Sequence, residues 1–240
     1  MIAQVLSAAD EKGCSMVRNT LVSASGALAS CASTSTESWN SAYVDLVGHG
    51  EFSAAEAIAR ALVGSASSPA ERARAWSWVG HANQLQGKPD EALLAFRAAE
   101  VEVADAFGAL ETGRAMMILG LPAPDVFAKL QSVLGMGGLD GFTYHTCHQL
   151  LAELALGQGD VTAVGVHLNA SLDGCLADRS MMLGPSTALL RTLIEKRLRH
   201  VLVAGYAERV VAWLEARGPA DRLEEANGLM RVAMTLMGDA

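Results

Sequence analysis

The run His145-Thr146-Cys147-His148 is where potential metal ligands crowd most closely in this chain. On a helix, residues three apart share a face, so His145 and His148 would present their imidazoles side by side. If the following segment folds back about Gly157 to Gly159, Cys175 comes opposite His145 and His167 comes near His148. Two imidazoles and a thiolate would suit a borderline divalent cation. The spacing matches no established zinc pattern, however, and a histidine in a helical core commonly buries with one hydrogen bond. We therefore expect packing here and no cofactor, with a helical metal or small-molecule sensor centred on His145 and His148, and Cys175 as third ligand, as the alternative.

Other chemistry is harder to place. The chain has no Gly-x-Ser-x-Gly elbow, no His-Glu-x-x-His and no phosphate-binding Gly-x-x-x-x-Gly-Lys. The glycines of Gly135-Met136-Gly137-Gly138 follow no readable strand, so a dinucleotide loop is not expected. Glu224 and Glu225 read as solvated helix surface. The expectation is a protein that is not an enzyme; an unrecognised enzyme stays open as an alternative, because catalytic groups meet in space rather than in sequence. A net charge of −8 argues against nucleic acid, whose binding draws most of its affinity from Lys and Arg neutralising phosphates. Arg191, Lys196, Arg197, Arg199, Arg209 and Arg217 are a local basic excess, spread around their helices as a solvated surface would be.

The elements that must position these residues are helices. The chain is 51% hydrophobic, 18% charged and only 5% aromatic, dominated by Ala, Leu, Val and Gly, with β-formers scarce. At 240 residues it can bury a core without disulfides or metals. Its four cysteines, Cys14, Cys31, Cys147 and Cys175, lack CxxC spacing and read as reduced, mostly buried thiols of a cytoplasmic protein. No window approaches the ~18 apolar residues of a membrane span. Leu28-Ala29-Ser30-Cys31 has the outline of a lipoprotein signal, but Asn19, Ser23, Ser25 and Gly26 dilute the apolar run before it, so an ordinary helix is expected.

The helices come in pairs with a repeat. Trp39, Gly50, Ala55 and Leu62 each lie 37 residues before Trp76, Gly87, Ala92 and Ala99. Gly159 lies 72 residues after Gly87, close to two repeat lengths, with His148 at the Trp76 position and Ala152 at the Gly80 position. This predicts helices over about 37–48 with 53–64, 69–86 with 89–104, 108–119 with 125–134, 142–157 with 160–176, and 186–204 with 206–217. Ser68-Pro69-Ala70-Glu71 supplies an N-cap, a proline in the first turn and a capping glutamate. Residues 1–36 are expected to form an N-terminal helical cap, with helices over 2–9 and about 15–32, and residues 218–240 a C-terminal capping helix.

The spacing of Trp76, Val79, Gly80, Gly87, Ala92, Phe96 and Ala99 resembles the tetratricopeptide repeat, a helix–turn–helix unit of about 34 residues. It departs from the family at Asn83, where an aromatic is usual, and at Ala104, where proline is common. The resemblance implies an all-α solenoid of about five antiparallel pairs plus terminal caps, in one helical-repeat domain over 1–240. It also implies a scaffold or adaptor that binds a protein or peptide partner in a concave groove lined by first helices. Carried over by position, that groove would present Arg74, Ser77, His81 and Gln84 from one unit, and Glu37, Asn40, Val44 and Val47 from the unit before it. Such an array is similar to the sensor portions of some larger bacterial signalling regulators.

Overall fold

The computed structural model describes residues 36–177, 187–195, 201–217 and 220–238. The expected helices over 2–9 and 15–32, the lipoprotein reading at Cys31, and Lys196, Arg197 and Arg199 lie outside the described residues. Among those described, every regular element is a helix. In chain order they are α1 (Thr36–Gly48), α2 (Phe52–Ser65), α3 (Pro69–Leu85), α4 (Pro89–Glu102), α5 (Ala106–Ile118), α6 (Ala123–Leu134), α7 (Gly141–Gln158), α8 (Val161–Ala177), α9 (Thr187–Glu195), α10 (Val201–Arg217) and α11 (Ala220–Gly238). The chain forms two compact units, one ending at Ala104 and the other beginning at Asp105.

A single turn recurs four times. Gly50, Gly87, Gly120 and Gly159 hold φ of 77°, 71°, 65° and 76°, a left-handed conformation that favours glycine. In each case the next residue's N–H reaches back five residues, from Glu51 to Leu46 O, Lys88 to Asn83 O, Leu121 to Met116 O and Asp160 to Ala155 O. These are Schellman turns, which satisfy the last carbonyls of one helix while reversing the chain into the next. The chain is thus an all-helical repeat through α8, with α1–α2, α3–α4, α5–α6 and α7–α8 as antiparallel pairs.

Small residues let the paired helices approach. A Cβ on Gly80 would sit 2.5 Å from Phe96 Cε1, and one on Gly113 would sit 2.7 Å from Leu130 Cδ2. At the same position α7 carries Ala152, which shares a buried cluster with Leu168 of α8. In α1 the sizes are reversed: Tyr43 occupies the small position and Ala59 of α2 the large one, and both are buried. Tyr43 also ties neighbouring pairs together, stacking on Trp78 at 4.9 Å and donating its hydroxyl to Trp78 O at 2.9 Å.

The boundaries follow local caps. Ser68 and Glu71 form the reciprocal capping box that opens α3. α5 starts at Ala106, two residues before the expected 108, because Asp105 Oδ1 accepts from Gly108 N–H at 2.6 Å. The glycine-rich stretch ends α6 at Gly135, and Asp140 then caps α7 through Thr143 N–H.

One sequence expectation fails: Gly205 does not break a helix but lies inside α10. A mid-helix glycine costs only about 1 kcal/mol, and the burial of Tyr206, Ala207, Val210, Val211 and Leu214 outweighs it. Of the preceding helix, expected over 186–204, the described part is α9, and residues 196–200 lie outside the described residues. Leu190 and Leu193 of α9, that face of α10 and Ala226 of α11 close over α7 and α8 in one core. No helix among the described residues is long and apolar enough to cross a membrane.

Candidate functional site

The histidines of α7 face α8. α7 and α8 fold back on each other through the turn at Gly159, which brings His148 against His167 and His145 against Ser171. The His148 and His167 Nδ1 atoms are 3.0 Å apart, so one ring donates to the other. Tyr144 packs edge-on against His148 at 4.5 Å. Burial, and then the neighbouring His167, push the His148 pKa down to about 4, and burial lowers His167 as well. Both rings are therefore neutral at neutral pH.

His145 is buried, and its Nδ1 lies 3.0 Å from Ser171 O and 2.8 Å from Ser171 Oγ. This superficially resembles a nucleophile and its base. However, an Nδ1 proton donated to the carbonyl leaves no lone pair on that nitrogen to take the hydroxyl proton. Ser171 is also fully shielded from solvent. The pair is suited to fastening α7 to α8 rather than to attacking a substrate. Cys147 is likewise buried, donates to Leu130 O at 3.3 Å, and has its thiol pushed up to about 12 by burial. The residue hydrogen-bonded to His145 is Ser171, one turn before Cys175 in α8. The side chain of Cys175 lies outside those described. Among the described residues no group of three His, Cys, Asp or Glu side chains is placed to hold a metal.

The residues expected to line a groove on α3 have mixed environments. Arg74 is exposed. Ser77 turns its hydroxyl to Ala73 O of its own helix, and His81 packs edge-on against Phe96 at 5.1 Å. Gln84 is half-buried, with its Nε2 shielded and lacking a hydrogen bond. Asn40 on α1 is exposed, whereas the side chain of Glu37 lies outside those described.

The equivalent positions of the later repeats form a cleft. Gly87 to Gly120 is a shift of 33 residues, which carries His81 and Gln84 onto Arg114 and Met117 of α5. Gly87 to Gly159 is a shift of 72, which carries Arg74, Ser77 and His81 onto Thr146, Gln149 and Glu153 of α7. These five residues, with Ile118 and Leu150, line a cleft of about 310 Å³ between α5 and α7. Arg114 is anchored by the buried Glu111 at 3.4 Å, and its Nε is shielded and has no acceptor. Glu153 is exposed by area, yet the atoms crowding its carboxyl raise its pKa, with Arg114 opposing. The cleft offers a guanidinium, a carboxylate, an amide and a hydroxyl beside an apolar strip of Met117, Ile118 and Leu150.

Sequence reasoning missed this cleft although the signal was available. The break at Gly120 sits 33 residues after Gly87, and taking it as the same turn would have put Arg114 and Met117 in register. Of the local basic excess, Arg191 pairs with Glu225, and Arg209 with Asp173 and Asn169, while the side chain of Arg217 lies outside those described. No family model matches the chain, and comparison with curated proteins yields no match.

Proposed function

We propose that the chain is a tetratricopeptide-like scaffold or adaptor that binds an extended segment of a protein partner, and that the cleft between α5 and α7 is where it does so. The observation that carries this reading is positional. The cleft is lined mainly by the helix positions that would face a partner, and they meet in a concavity with polar groups and an apolar strip side by side. An extended peptide suits such a surface: Gln149, Thr146 and Arg114 address its backbone and polar groups, while Met117, Ile118 and Leu150 take one apolar side chain. No catalytic step and no cofactor enter the reading. Acidic net charge and sparse cysteines accord with a cytoplasmic protein, either free-standing or the sensor part of a larger bacterial regulator.

A photo-crosslinking amino acid at position 149, introduced into the full chain in its source cell, tests the proposal. A discrete protein adduct is expected that is lost when Met117→Glu is added. Adducts at position 149 no different from those at Val166, an exposed residue of α8, would refute it.

A further inference from the structure

We propose that His148 and His167 form a two-imidazole site for a borderline divalent transition-metal cation, of the class of Zn2+, Ni2+ and Cu2+, held between α7 and α8. The proposal is independent of the cleft. It rests on the separation of the two nitrogens, on the turn that fixes it and on the charges around it.

Two cis ligands at 2.0–2.1 Å from such an ion stand about 2.9 Å apart at a right angle and about 3.4 Å apart at the tetrahedral angle. The 3.0 Å between the Nδ1 atoms falls inside that interval. The rings, tilted by 34° with centroids 5.3 Å apart, now aim these atoms at each other. Bringing both lone pairs onto one ion therefore requires the rings to rotate, chiefly the half-buried His167, while the helices stay in place. Their places are well fixed. The Gly159 turn sets the register, and a Cβ on Gly174 would lie 2.9 Å from Tyr144 Cδ1 and 3.2 Å from His145 N, so α8 runs close against the start of α7.

The protonation states suit ligation. Metals bind the neutral imidazole, and burial keeps both rings neutral at neutral pH. In the hydrogen-bonded pair one ring carries its proton on Nδ1 and the other on Nε2. Metal binding asks only that the first ring move its proton from Nδ1 to Nε2 through water, so the two rings release no net proton. Each ring has one carboxylate acting on it, Asp173 on His148 and Asp160 on His167. Asp173 also takes the Arg209 guanidinium, and Asp160 caps Ala163 N–H at 2.9 Å. Neither completes a three-ligand group, so water fills the remaining positions and the ion exchanges readily.

Calorimetric titration of untagged full-length protein with Ni2+ tests the site, because Ni2+ does not oxidise the cysteines. One ion per chain is expected. His167→Gln and His148→Gln should each weaken binding about a hundredfold, since one arm of a chelate is lost. His49→Gln, at an exposed histidine of the other unit, should leave binding unchanged. Circular dichroism identifies any variant that fails to fold, and His167, the more exposed of the pair, is the variant to rely on. No stoichiometric Ni2+ on the wild-type chain, or wild-type affinity in folded His167→Gln, overturns the proposal and leaves the pair as a shared-proton clamp.

Discussion

Gly80→Ala probes the closest approach between paired helices. The new Cβ would meet three ring carbons of Phe96, at 2.5, 2.7 and 2.7 Å. Carbon atoms rest roughly 3.5–4.0 Å apart, so about 1 Å of relief is required. The ring has nowhere simple to go, because Phe96 is fully buried and His81 packs on it. Overpacking of this kind costs about 1–3 kcal/mol. Alanine also gains about 1 kcal/mol over glycine from helix propensity alone, which hides part of the effect. Gly228→Ala, in the middle of α11 with nothing within 4 Å, isolates that intrinsic gain. The difference between the two variants is then the crowding itself, about 1–3 kcal/mol in favour of Gly228→Ala. Gly113→Ala should fall between them, since it meets the swinging end of Leu130 rather than a ring. Urea unfolding followed by circular dichroism gives all three values. Equal stability of Gly80→Ala and Gly228→Ala would sink the account of helix pairing.

The remaining predictions concern protons and caps. His148 has a folded pKa of about 4, below its unfolded value of about 6.5, so its stabilising contribution is full above pH ~6.5 and is lost as pH falls toward 4. Between pH 7.5 and 4.5 this one residue should cost the wild type about 2–3 kcal/mol, and folded His148→Gln should lose correspondingly less; identical pH profiles would remove the assignment. Ser68→Ala breaks the capping box of α3 and should destabilise by about 1 kcal/mol in chemical denaturation, whereas Ser65→Ala, just past the α2 core, should change little. Cys147, buried and with a thiol pushed up to about 12, should resist alkylation at neutral pH until denaturant is added, as peptide mapping would show.

Much of the fold was legible because its determinants are local. Ser68, Pro69 and Glu71 act within one turn of helix, and Gly87 acts through its own φ, so their types and spacing carry the information. Gly205 misled for the same reason. Read locally a glycine interrupts a helix, but the packing of Tyr206 and Val210, which outweighs its cost, is not visible from its neighbours. Asp105 was missed as a cap because its partner is a glycine N–H three residues on, in a stretch with no other signal.

The sequence by itself determined that the chain is helical, that its first helices come in pairs, and where the turns fall, since propensity, capping and left-handed glycines are properties of a few adjacent residues. It also placed His167 near His148, because an antiparallel pair reversing at Gly157 to Gly159 brings the middle of α7 alongside the middle of α8. Only the tertiary structure decided which atoms face one another: Nδ1 toward Nδ1, Ser171 against His145, and Arg114 with Glu153 across a cleft while His81 is spent on Phe96. Those outcomes depend on side-chain rotation and on how neighbouring pairs stack, both set by residues dozens of positions away.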